Sequence, residues 1–349
     1  MQKSIRNSNF EFLRIISMYM IVFIHANMYL GHFCQGMTRV FFNGVVNGIC
    51  NIGVTCFILI SGYFGLNFNI RKLMKMECMM IAFSFIETII LCLVMPEEMQ
   101  GAALLEQIIK SCCPVITRKY WFYSSYICLY CLSGYIDKFI DSLKKDEYKK
   151  LLGILLLFFS VFPTLFYFEI IPDNGKGLFQ MIIIYLLGRY IRKYGIVTIS
   201  KGKSAILFLG LWILNGISHE IPIQLGGIYH HWCKDNSITN VIMAVILVSL
   251  VKNWEMQSNI VNNISKHIFA VFALNNSLVL AVMHCITNSG KIHTSGVEGF
   301  LLLTGIVACI MLLCFLIGNI RELTMGKMEE KIIAKILQIR WTKSEESGY

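Results

Sequence analysis

Residues 9–25 read Asn9-Phe-Glu11-Phe-Leu-Arg14-Ile-Ile-Ser17-Met-Tyr-Met-Ile-Val-Phe-Ile-His25. An apolar run of this length, continuing to about residue 30, suits one crossing of roughly 30 Å of hydrocarbon. It is too long for the apolar part of a signal peptide and lacks a small-residue cleavage site, so it reads as a retained span. The whole chain agrees with that first stretch. Of its 349 residues, 56 % are hydrophobic and 15 % charged, and the mean hydropathy is +0.63. Soluble domains carry roughly 45–50 % apolar and about 25 % charged residues. A soluble enzyme, a disordered chain and a collagen-like chain are excluded. The expected fold is an all-α, polytopic membrane helix bundle.

Similar runs predict about ten spans, near residues 10–30, 42–65, 73–95, 121–137, 151–171, 177–193, 204–222, 237–252, 265–286 and 297–318. Short cytoplasmic loops are enriched in Lys and Arg. With both termini cytoplasmic, 23 of the 31 Lys and Arg fall inside and seven outside, with Arg14 within a span. The net charge of +10 is thus mostly topology, not a nucleic-acid surface. Residues 1–320 are expected to form the membrane domain. Residues 321–349 read as a basic amphipathic tail helix on the cytoplasmic leaflet, with Lys327, Lys331 and Lys335 opposing Ile332, Ile336 and Leu337. A second amphipathic stretch, Met99–Ile109, is expected at the outer interface.

Charged and polar groups inside spans are costly and are functional candidates by default. Arg14 and His25 are eleven positions apart. That step is about 1100°, or three turns plus roughly 20°, with a rise of about 16.5 Å. Both therefore share one helix face, and Glu11 stands one turn before Arg14. An elongated anionic molecule fits such a face, with phosphate near Arg14 and its reactive end near His25. The bland alternative is an Arg14–Glu11 pair and a satisfied buried histidine. Asn43, Asn47 and Asn51 form a stripe at i, i+4, i+8, which either lines a polar cavity or holds helices together. Ser61, Asn47 and Asn51 are candidate oxyanion donors. Arg71, Lys72 and Lys75 open the third span and suit phosphate, or serve only as positive-inside charge.

Tyr120-Trp121-Phe122 reads first as an interfacial aromatic belt. His219, Glu220, His230 and His231 share an outer loop without metal-ligand spacing, and the cysteines show one C-x-x-C without a second pair, so no metal is expected.

Several features together resemble acyltransferase family 3, over roughly residues 8–320. They are Arg14-x10-His25, the Phe57–Phe64 segment FILISGYF, the basic start of the third span, Tyr-Trp-Phe at 120–122 and LLGRYIRKYG at 186–195. These are multi-pass membrane acyltransferases, typically bacterial, that most often O-acetylate envelope carbohydrates. The resemblance implies that His25 is the catalytic histidine and Arg14 its motif partner. It implies an acetyl-coenzyme A donor reached from the cytoplasm, held by Arg14, Arg71, Lys72, Lys75 and Ser61. Glu11, Asn47, Asn51, Tyr63, Trp121 and Asn275 become candidate cavity residues. The acceptor is expected to be an envelope carbohydrate or lipid-linked sugar, the location the inner (plasma) membrane, and glycan-assembly proteins further partners.

Two departures stand out. Relatives often place two arginines where this chain has Lys72 and Lys75, which keeps the charge but loses bidentate phosphate recognition. Relatives also commonly have His where this chain has Asn275. The competing reading is an exporter of envelope glycans without covalent chemistry; a third is a non-catalytic partner in glycan assembly.

Overall fold

The computed structural model describes residues 7–28, 37–196, 200–225, 231–288 and 296–346, and all regular structure among them is helical. The helices are α1 (Ser8–Asn27), α2 (Met37–Cys50), α3 (Ile52–Phe64), α4 (Ile70–Val94), α5 (Gly101–Cys112), α6 (Trp121–Ser142) and α7 (Lys145–Leu156). A π-turn over Leu157–Val161 leads into α8 (Phe162–Phe166). Then follow α9 (Leu178–Tyr194), α10 (Lys201–Gln224), α11 (Ile238–Lys252), α12 (Asn259–Ser265), α13 (Ile268–Asn288) and α14 (Gly296–Glu346).

Seven helical stretches are long and apolar enough to cross a bilayer: α1, α2–α3 together, α4, α7–α8 together, α10, α13 and α14. The other three expected spans fall on α6, α9 and α11. α9 and α11 are shorter, at 17 and 15 residues. Each buries about half its residues against protein, so neither needs the length or apolarity of a helix facing lipid.

The α2–α3 rod is interrupted at Asn51. The Asn51 side chain donates to the Asn47 carbonyl, the acceptor its own backbone N–H would use in an unbroken helix. Helices approach closely where side chains vanish. A Cβ on Gly48 would lie 2.7 Å from the Trp212 carbonyl oxygen of α10, and one on Gly188 of α9 would lie 2.5 Å from that of Leu59 in α3. Small residues do this work between membrane helices because apolar surface gains nothing from leaving lipid. α1 is central and packs on α2, α3, α11, α12, α13 and α14.

The expected separate tail is not a separate element: α14 runs 51 residues without a break, through the expected boundary at residue 320. No proline interrupts it. Its second half docks on α4, with Ile333 and the Arg321–Glu329 ion pair buried and the Arg321 guanidinium 5.7 Å from the Phe83 ring centre. Met99–Ile109 lies mostly within α5, which anchors to α4 through Ser111 and Ser84, 3.1 Å apart.

Candidate active site

Arg14 and His25 rise from one face of α1, as the spacing requires. Arg14 Nη1 donates to Glu11 Oε1 at 2.5 Å, and Arg14 remains 27 % exposed. The pair therefore lowers the cost of the guanidinium without sealing it off from a ligand.

The end of the bundle nearest Arg14 is basic. Lys72 and Tyr126 stand within electrostatic reach of Arg14, and Tyr126 lies by Ser61. The Asn69 side chain caps α4 by accepting from the Lys72 N–H at 3.1 Å. A helix start with its partial positive charge thus lies beside Arg14, an arrangement that suits phosphate. Lys72 Nζ sits 5.4 Å from the Tyr130 ring centre.

Arg71 and Lys75 do not join Arg14. Both bind Glu330 of α14, at 2.7 and 2.9 Å. Two further cations of this end, Arg189 and Arg192, lie in the LLGRYIRKYG segment but were not singled out as site residues from sequence. Arg192 Nη1 donates to the Tyr63 hydroxyl at 3.1 Å, and Tyr63 stacks on Phe10 of α1. Arg189 pairs with Asp137 of α6 at 3.1 Å. The signal that could have found them is their position in the last two turns of α9, close after Gly188, which meets the FILISGYF segment.

At the other end of the face, His25 Nδ1 and Asn275 Oδ1 of α13 are 2.5 Å apart. Asn275 is 2 % exposed. Its amide nitrogen donates to the carbonyls of Val271 at 2.9 Å and Phe272 at 2.7 Å. His25 retains partial exposure. Lys176, in the loop before α9, lies within electrostatic reach of the ring and was not foreseen as a site residue. The loop residue Asp235 interacts with Lys176 and Asp173. Phe272 carries the Tyr120 and Phe122 rings, at 6.0 and 5.4 Å between centres, and Trp121 meets Phe122 at 5.8 Å. The aromatic triplet thus supports the helix that holds Asn275. Beneath it, Glu87 accepts from the Tyr120 hydroxyl and pairs with Lys119 at 3.1 Å. Burial pushes the Lys119 ammonium below its usual range, and Glu87 opposes that shift.

The asparagine stripe turns elsewhere. Asn43 accepts from Asn27 at 2.7 Å and Asn47 at 2.9 Å, and donates to Glu220 of α10. Glu220 also accepts from His219 Nδ1 at 2.7 Å. The three expected oxyanion donors each bond one turn back along the chain: Ser61 to Phe57 O, Asn47 to Asn43, and Asn51 through one of its amide hydrogens to Asn47 O. In an apolar medium the carbonyl one turn back is the nearest acceptor. His219 and His231 lie 5.0 Å apart between ring centres; His230 and His293 fall outside the described residues.

The arrangement offers a cationic end, an apolar helix face, and a part-exposed imidazole about 16.5 Å further along the axis. A search of curated proteins and of solved structures finds no match to this chain. A family model for an acyltransferase domain matches residues 7–319, nearly the whole chain. The chain belongs to acyltransferase family 3, whose work is acyl transfer at the membrane.

Proposed function

We propose that this protein moves an acetyl group from acetyl-coenzyme A to a hydroxyl of an envelope carbohydrate, at the plasma membrane. The observation that carries the reading is the placement of Arg14 and His25. They occupy two depths of one face, with the capped, basic start of α4 beside Arg14. The donor's phosphates take Arg14, Lys72 and the α4 N-terminus, and its arm runs along α1 towards His25. The basic end then faces the cytoplasm, in keeping with the distribution of Lys and Arg.

A neutral imidazole is suited to proton transfer near pH 7. As the acceptor oxygen attacks the thioester carbonyl, its proton passes to the His25 ring. The new C–O bond forms, the C–S bond breaks, and the departing sulfur takes the proton as coenzyme A thiol. The negative charge that develops on the carbonyl oxygen is favoured by Lys176, a cation within electrostatic reach of the His25 ring.

The test is mass analysis of surface glycans from cells carrying wild type or His25→Ala, with insertion of both checked by immunoblot. Loss of the acetyl increment in the variant supports the reading. Full acetylation by inserted His25→Ala rejects the assignment of His25. A purified wild type that releases no coenzyme A from acetyl-coenzyme A, with envelope carbohydrate present, favours an exporter.

A further inference from the structure

We infer that Asn275 is a positioning residue that holds the His25 ring as its Nδ1–H tautomer, leaving Nε2 as the single nitrogen that works on the substrate. This rests on the acyl-transfer reading above and adds the atom that carries it out.

The amide's orientation is over-determined. Both Nδ2 hydrogens have acceptors on α13 itself, the Val271 and Phe272 carbonyls. Turning the amide over would set its oxygen against those two carbonyl oxygens and leave both Nδ2 hydrogens without them, which is costly at a buried position. The oxygen therefore faces His25. A carboxamide oxygen is an acceptor only, so the ring nitrogen opposite must be the donor. With Nδ1 protonated, a neutral imidazole has its lone pair on Nε2. Nε2 makes no hydrogen bond among the described residues.

A further consequence follows from Asn being neither acid nor base. A carboxylate or a second histidine at residue 275 could share or accept the Nδ1 proton; an amide cannot. The proton that His25 takes from the acceptor hydroxyl has no exit through Nδ1. It enters at Nε2 and leaves from Nε2 to the departing sulfur. One nitrogen thus acts as base and then as acid within one turnover. Asn275 is thus a fixed partner of the ring rather than a titrating one.

The test combines kinetics with ¹⁵N NMR of histidine-labelled full-length protein in detergent, the His25 signal being identified by its absence in His25→Ala. Expected are a wild-type spectrum showing the Nδ1–H form and an Asn275→Leu spectrum showing mixed tautomers. Asn275→Leu should lose about 10²-fold in kcat, the scale of a mispositioned general base, with KM for acetyl-coenzyme A unchanged. Asn275→Asp keeps the acceptor oxygen and should retain activity to within about tenfold, against the 10²-fold or larger contribution of a working base. An Nε2–H signal in wild type overturns the inference, as does wild-type kcat in Asn275→Leu. If Asn275→Leu does not insert, the wild-type spectrum and the Asp variant decide. If wild type transfers no acetyl group, the spectrum still reads the tautomer, so the two proposals fail separately.

Discussion

Gly62 of α3 lies against the carbonyl oxygen of Tyr185 in α9, so closely that a Cβ on Gly62 would overlap it. Tyr185 also holds the chain leaving α3, accepting from the Leu66 N–H at 3.1 Å, and donates to Asp137 of α6. One backbone contact thus sets where Arg189 and Arg192 stand relative to Tyr63 and α1. Gly62→Ala forces the helices apart, since neither backbone can yield alone. The expected cost is about 1–3 kcal/mol, the usual price of overpacking, read as a lower thermal midpoint in detergent. Serine at the neighbouring residue 61 can become alanine at smaller cost, because the change removes atoms from the contact; what it loses is the hydroxyl's bond to Phe57 O in its own helix and its interaction with Tyr126.

Lys119 and Glu87 form a pair whose side chains are 7 % and 9 % exposed. Lys119 also donates to Thr88 and Ser111, at 3.3 and 3.0 Å. Removing one charge strands the other away from water, so Lys119→Met should destabilise by about 3–5 kcal/mol. Lys119→Met combined with Glu87→Leu should recover most of that loss. Thermal unfolding of the two single variants and the double variant checks it; a double variant no better than the singles would show that the pair itself holds α4 to the turn before α6.

Asp235, in the loop before α11, has its carboxyl pushed up from 3.8 to about 7 by burial, with Asp173 adding to the shift and Lys176 opposing it. The folded loop keeps a proton that the unfolded chain releases at lower pH. Below about pH 4 both states hold it, using the ordinary Asp value near 3.9. As pH rises from there to about 7, only the unfolded chain loses it, so stability falls across that window and levels off above it. Asp235→Asn should flatten this part of the curve. Melting midpoints of wild type and variant between pH 4 and pH 8 give the comparison.

Glu330 holds Arg71 and Lys75 at distances of 2.7 and 2.9 Å, with its own side chain 39 % exposed. Both cations stand in the first two turns of α4, whose N-terminus takes the donor's phosphates on the proposed reading, and Glu330 neutralises part of that positive charge. Glu330→Gln should lower KM for acetyl-coenzyme A about two- to fivefold, the equivalent of ~0.4–1 kcal/mol. The loss of stability should stay below about 1 kcal/mol, as for other exposed pairs. A KM that rises instead would place Glu330 on the side of donor binding.

Local physics made much of this chain legible without a structure. Apolar runs marked the helices because lipid demands internally satisfied backbones. The eleven-residue step put Arg14 and His25 on one face because a helix repeats at a known angle. What the sequence left open depended on neighbours. The stripe of Asn43, Asn47 and Asn51 could line a cavity or hold helices together, and its partner in α10, Glu220, lies 177 positions from Asn43. The tail reads as a helix from its own residues; that it continues α14 and docks on α4 belongs to the packed bundle.

The sequence by itself determined that this is a helical membrane protein of acyltransferase family 3, with one Arg–His face. Tertiary structure decided what those residues meet. Asn275 reaches His25 across 250 positions, and Glu330 reaches Arg71 across 259. Periodicity within a helix is written in its own residues. Which helices become neighbours depends on close backbone approaches such as Gly62 on Tyr185, and those exist only once the bundle has packed.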